Sequence, residues 1–134
     1  MSLPVSDLKQ LLQCMEPILN EGAFVFASLP LDADVSPLQP LATIREPEGL
    51  SVVVTGATAQ RYQLTPLFEA AWITLRVHSD LYAVGLTAAF AGALGAAGIS
   101  CNVVAGAYHD HLFVPVDRAQ DAMTTLRALQ HPSD

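Results

Sequence analysis

Basic residues and cysteines are scarce in this 134-residue chain. It contains six Lys plus Arg against thirteen Asp plus Glu, which gives a formal net charge of −7 at pH 7. The basic residues stand singly along the sequence, so they offer no positive stripe for phosphates, and we expect no nucleic acid partner. The two cysteines, Cys14 and Cys101, form neither a CxxC pair nor a disulfide framework, which favours a reducing, cytoplasmic location.

Charged residues are also absent from residues 81–101, a run long enough to span a bilayer. We reject a transmembrane helix because the run is rich in Ala and Gly, and because Gly98 predicts the end of a helix within it. The first residues lack the positive and apolar segments of a secretory signal. We therefore expect no membrane association.

The chain is long enough for one substantial core or two small modules, and too short for a multidomain enzyme. Hydrophobic residues make up 51% of it and charged residues 14%. This apolar excess indicates that part of the surface is covered by another copy, so we expect a homo-oligomer.

Hydrophobic periodicity predicts a mixed α and β organisation. A first helix is expected to begin near Ser6 and to end at Pro17, and residues 30–40 to form one long loop. The other elements expected are strands at 23–29, 42–46, 50–55, 68–78, 99–105 and 108–115, and helices at 57–62, 83–97 and after Asp117. The second half thus reads as a split βαβ arrangement that lacks its fourth strand, and the first half resembles the same plan.

The residues from His78 to Gly85 predict a strand that turns directly into a helix. Such a corner presents unpaired N–H groups at the positive end of a helix, which suits a small anionic group. An α-carboxylate is expected to accept hydrogen bonds from the N–H groups near Val84 and Gly85. Asp80 is expected either to pair with an α-ammonium group or to cap the helix.

Four segments carry a resemblance to a known family: REPEGL, WITLRVHSDLYAVGLTAAF, AGISCNV and YHDHLFVP. They resemble ACT-domain proteins, and more narrowly a small bacterial tandem-ACT family related to the ACT modules of the CASTOR arginine sensors. The resemblance implies an α+β fold of two ferredoxin-like βαββαβ modules, with antiparallel sheets and helices on one face. It divides the chain into an N-terminal ACT-like module, residues 1–66, and a C-terminal ACT module, residues 67–134.

The same resemblance implies a non-catalytic regulatory module that binds a small molecule, with an amino acid as the expected ligand and without a cofactor. Ligand binding would act through the packing of modules or subunits. The ligand-contacting residues that it implies are Ser79, Asp80, Leu81, Ala83, Val84 and Gly85 in the corner, and Cys101, Asn102 and Val103 in the facing strand.

Two other functions stay open at this point. One is a structural or protein-interaction module with no ligand. The other is a metal-dependent enzyme built on His109 and His111, which lie two residues apart and so point the same way on a strand. Two ligands do not make a metal site, and the sequence contains no GxSxG nucleophile motif, so we expect hydrogen bonding or interface contacts from His109, Asp110 and His111.

Overall fold

The computed structural model of the protein describes residues 8–76 and 85–130. In chain order, its helices and strands are α1 (Leu8–Cys14), β1 (Glu16–Leu19), β2 (Phe24–Leu29), β3 (Ala42–Glu46), β4 (Gly49–Thr55), α2 (Gly56–Arg61), β5 (Phe68–Arg76), α3 (Leu86–Ala96), β6 (Asn102–Ala105), β7 (Asp110–Pro115) and α4 (Ala119–Gln130). Two short 3₁₀ helices, Ser36–Leu38 and Val116–Arg118, complete the described elements.

These elements form two compact units. One comprises Glu21–Ala70. The other, which we call the bipartite unit, combines residues 8–20 with residues 71–76 and 85–130. The predicted modules divide the chain once, between residues 66 and 67, whereas the bipartite unit draws on both ends of the chain. The module boundary stays a prediction.

In the bipartite unit, β1 pairs antiparallel with β5, so that Ile18 lies opposite Thr74. Strand β5 also neighbours β7, which pairs antiparallel with β6. Strand β1 therefore supplies the fourth strand that the sequence pattern lacked. The prediction that Pro17 simply ends a helix was wrong, because Pro17 lies inside β1. Proline is tolerated there because, among the described strands, β1 pairs with β5 alone, as an edge strand does.

The core of the bipartite unit lies between one face of this sheet and helices α1, α3 and α4. The alternation in β5 buries Ile73 and Leu75 completely, as predicted. The predicted stripe of α3 buries Phe90 and Leu94 completely. Burying a side chain of this kind stabilises the fold by about 1.5–3 kcal/mol. Periodicity alone thus identified the core-facing side of both elements.

In the Glu21–Ala70 unit, the predicted hairpin of β3 and β4 is confirmed, and β4 also pairs antiparallel with β2. The start of β5 completes the unit by pairing antiparallel with β2. Val52 and Val54 pack with Leu38 and Ala59, which come from the first 3₁₀ helix and from α2. The α+β, ferredoxin-like fold class predicted from the sequence is confirmed.

Candidate functional site

Gly85 is the residue directly before α3, and among the predicted corner residues it is the one that the structure describes. This residue has φ +102°, in the left-handed region, and stands immediately before the first helical residue, Leu86. A Cβ atom at Gly85 would lie 3.2 Å from Cδ2 of Leu8. Glycine is therefore favoured both by the backbone conformation and by the packing of α1 against this corner.

The opening turn of α3 includes a hydrogen bond from the Ala89 N–H to the Gly85 carbonyl, at 2.9 Å, and among residues 8–76 and 85–130 no side chain caps the helix. The N–H groups of the first turn point out of the N-terminal end of the helix, where its dipole is positive. This end of α3 has the geometry that suits an anionic group. The predicted site residues Ser79, Asp80, Leu81, Ala83 and Val84 lie outside the described residues.

The three residues predicted in the strand that faces the corner do not share one face of the sheet; Cys101 immediately precedes β6, and the other two begin it. Cys101 and Val103 are half-buried and pack against the hydrophobic core of the bipartite unit. Asn102, between them, is exposed and lies opposite Phe113 of β7. Burial raises the pKa of the Cys101 thiol, which disfavours the reactive thiolate. Among these three, Asn102 is the residue with a polar side chain available to a ligand.

The bipartite unit also contains a network of side-chain hydrogen bonds around His111. Its Nδ1 accepts a hydrogen bond from Nε1–H of Trp72 at 3.1 Å, and Oγ1 of Thr74 lies 3.3 Å from the same nitrogen. Asn20 continues the network, because its Nδ2 donates to Oγ1 of Thr74 at 3.0 Å and to the carbonyl of Trp72 at 3.2 Å. We call these four residues the Trp72–His111 network.

The indole N–H can donate but cannot accept, so the network requires an unprotonated Nδ1 and places the proton of neutral His111 on Nε2. Burial and the neighbouring His109 lower the pKa of His111, although Asp110 acts in the opposite direction. Burial raises the pKa of Asp110, partly offset by His111 and His109. Neutral His111 is thus favoured by the geometry and by its surroundings.

The described part of the chain supplies no third metal ligand beside His109 and His111. Within residues 8–76 and 85–130, no group of three or more His, Cys, Asp or Glu side chains has a metal-binding arrangement. Nδ1 of His109 is buried without a hydrogen-bond partner in this part of the chain. The hydrogen bonds of His111 agree with the structural role expected from the sequence.

A cleft that no sequence pattern predicted lies beside α2 in the Glu21–Ala70 unit. Its volume is about 400 Å³. We call it the α2 cleft, and its lining residues are Ala23, Val25, Gly56, Ala59, Gln60, Gln63, Leu64, Pro66 and Glu69. These residues come from β2 and the residue before it, from α2, from the connection to β5 and from β5 itself, and no local motif marks them as a set.

Comparison with sequence families agrees with this architecture. Two ACT-domain profiles match the chain, one over residues 4–71 and the other over residues 67–128. The chain belongs to the ACT-domain family. Its two ACT domains stand in tandem and together span most of the sequence. The narrower relationship to the CASTOR arginine sensors stays a prediction.

Solved structures extend the comparison. A protein of unknown function from Vibrio cholerae, described as a possible transport protein, is 46% identical with a TM-score of 0.84, over 92% of this chain and 96% of that one. The regulatory subunit of aspartate kinase from Thermus thermophilus, in its ligand-free form, has a TM-score of 0.60 at 10% identity, over 84% of this chain and 95% of that one. Escherichia coli aspartokinase III, in complex with aspartate and ADP, has a TM-score of 0.64 at 9% identity.

This tandem ACT protein covers about a third of that aspartokinase, since the match spans 84% of this chain and 32% of the enzyme. At identities near 10%, the likeness to the two kinases concerns the fold. No curated protein sequence matches the chain. Across residues 8–76 and 85–130, each helix is too short or too polar to cross a bilayer.

Proposed function

We propose that this tandem ACT protein is a non-catalytic regulatory module that binds an amino acid at the corner preceding α3. The observation that carries the proposal is the pair of ACT-domain profiles along the chain. ACT domains generally bind amino acids for regulation, and they are typically non-catalytic. The fold shared with an aspartate kinase regulatory subunit supports the same class of function.

The geometry of the two units favours the C-terminal domain as the binding domain. In the Glu21–Ala70 unit, β2 is followed by a loop with one short 3₁₀ helix, Ser36–Leu38. In the bipartite unit, β5 is followed, after the corner, by the eleven-residue helix α3. The aligned N–H groups of a longer helix bind a carboxylate better than those of one short turn.

Regulation then requires that the ligand bind one state of the protein more tightly than another. A ligand changes this balance when it makes different contacts in the two states, as it does when neighbouring modules or subunits contribute to binding. For this reason we propose a homo-oligomer as the working form. We also propose that it is cytoplasmic. An amino acid with equal affinity for both states would bind without regulating anything.

A thermal-shift screen of the twenty amino acids at millimolar concentration tests the proposal. One amino acid or a few are expected to raise the melting temperature, because ligand at ten times its Kd stabilises the native state by about 1.4 kcal/mol. Asp80→Asn and Asn102→Ala are expected to reduce this shift, whereas Asp32→Asn, an exposed carboxylate in the loop after β2, is expected to preserve it. A folded protein that responds to none of the twenty would refute amino-acid binding and would favour an interaction module.

A further inference from the structure

The α2 cleft has an apolar floor and a small number of polar groups at its edge. Val25 and Ala59 of its lining belong to the hydrophobic cluster of the Glu21–Ala70 unit, and Leu64 packs against that cluster. A volume of about 400 Å³ lies within the range of small-molecule sites. The cleft therefore has the size and the interior of a binding site.

Small residues keep this cleft open where α2 begins. The Gly56 N–H donates to the carbonyl of Ala23 at 2.8 Å, which ties the start of α2 to the start of β2. A Cβ atom at Gly56 would lie 3.3 Å from the same carbonyl oxygen. Larger side chains at Ala23 or Ala59 would occupy the floor, so the space results from the residue types present.

Three polar side chains line the cleft: Gln60 and Gln63 from α2 and the turn after it, and Glu69 from β5. Glu69 lies opposite Val25 in the pairing of β2 with β5, which places its carboxylate on the same face as the floor residue Val25. Within the described part of the chain, none of the three side chains makes a hydrogen bond or an ion pair. They are therefore available to a ligand.

The charge of the lining selects the chemistry of that ligand. Glu69 is its one charged residue, and the nine lining residues include no Lys, Arg or His. A carboxylate without a cationic neighbour attracts a cation, and the amide oxygens of Gln60 and Gln63 accept hydrogen bonds from N–H donors. We propose that the α2 cleft binds a small organic ammonium ion, with its nitrogen at Glu69 and its alkyl part on Val25, Leu64 and Pro66.

This site differs from the amino-acid site of the proposed function in place and in chemistry. It belongs to the Glu21–Ala70 unit, and its lining shares no residue with the corner before α3. It also has no cationic group to receive an α-carboxylate, which disfavours a zwitterion. Either site can therefore fail experimentally without affecting the other.

Three probes of similar shape and different charge test the proposal: n-pentylammonium, 1-pentanol and pentanoate. In NMR titrations of the full chain, n-pentylammonium is expected to shift the backbone amide signals of Gly56, Ala59 and Gln60 in a saturable way. Loss of the charged hydrogen bond is expected to weaken 1-pentanol about fivefold relative to the ammonium ion. Pentanoate is expected to bind more weakly still, because its charge is repelled by Glu69.

Glu69→Gln is expected to weaken n-pentylammonium about fivefold and to leave 1-pentanol unchanged. Glu48→Gln provides the matched control, because it removes the same charge from an exposed turn of the same unit outside the cleft, and it is expected to leave the affinity unchanged. Equal affinity for the three probes, signal changes confined to residues outside the cleft, or an n-pentylammonium affinity that Glu69→Gln leaves unchanged would each overturn the proposal. The probe series uses the unmodified protein, so it decides the question even if a variant fails to fold.

Discussion

Nε1 of Trp72 lies 3.1 Å from Nδ1 of His111, so β5 and β7 are joined by a side-chain hydrogen bond as well as by their pairing in the sheet. The two rings are 5.7 Å apart between centroids, and Trp72 also stacks on Phe113 at 6.3 Å. Through Asn20, the same network reaches the end of β1. Asn20 is the last residue of the bipartite unit before the chain enters the Glu21–Ala70 unit. Trp72 is the second residue after the chain re-enters the bipartite unit. The network therefore links β1, β5 and β7 by side-chain hydrogen bonds, close to the two points where the chain passes between the units.

The Trp72–His111 network predicts that the protein loses stability as the pH falls through the titration of His111. Burial and His109 lower the pKa of His111 in the folded state, so the unfolded state binds the proton more tightly. The contribution of neutral His111 is complete above its ordinary pKa of about 6.5 and declines as the pH falls from there toward the folded-state pKa. Thermal unfolding between pH 8 and pH 5 measures this loss, and the emission of Trp72, the single tryptophan, reports on the network.

His111→Asn is the matched control for this prediction. An asparagine oxygen near the position of Nδ1 still accepts from the indole but does not titrate in this range. The variant is expected to flatten the pH dependence of the melting temperature between pH 8 and pH 5. An unchanged pH dependence in the variant would show that other groups cause the loss of stability.

Asn20→Ala is expected to lower the free energy of unfolding by about 1–2 kcal/mol, because it removes two side-chain hydrogen bonds at a half-buried position. The backbone bond from the Asn20 N–H to the Trp72 carbonyl, at 2.9 Å, remains in the variant. Urea denaturation measures the change. Asn102→Ala, at an exposed strand position, is the comparison and is expected to change stability by less than about 0.5 kcal/mol. Equal effects of the two substitutions would contradict a structural role for Asn20.

Substitution by alanine is expected to have opposite effects at two glycines, one inside α3 and one just after it. Gly92 lies inside the helix, and a Cβ atom there would meet no atom within 4 Å from other parts of the described chain, so Gly92→Ala is expected to stabilise the protein by about 0.5–1 kcal/mol. Gly98 has φ +75° just beyond the helix, so Gly98→Ala is expected to destabilise it by about 1 kcal/mol although space is available. Thermal unfolding of both variants measures the difference, and the same sign for both would refute the prediction.

Periodicity in the sequence predicted most strands and helices close to their observed positions, together with the core-facing residues of β5 and α3. It missed β1, because four residues around Pro17 carry too little pattern to indicate a strand. For the predicted ligand-binding residues, the strand pattern left open which side chains face the core. The structure exposes Asn102 between Cys101 and Val103, which pack toward the core, because successive side chains of a strand point to opposite faces. The binding site itself stays a prediction.

The sequence by itself determined the local elements, the buried faces and membership of the ACT-domain family, because propensity, periodicity and family motifs are properties of neighbouring residues. The tertiary structure decided which distant segments meet. It placed Pro17 opposite Leu75, His111 beside Trp72, and Glu69 beside the residues that open the α2 cleft. These pairs are separated by tens of residues, and their contacts depend on strand pairing and core packing, which no short segment of the chain specifies.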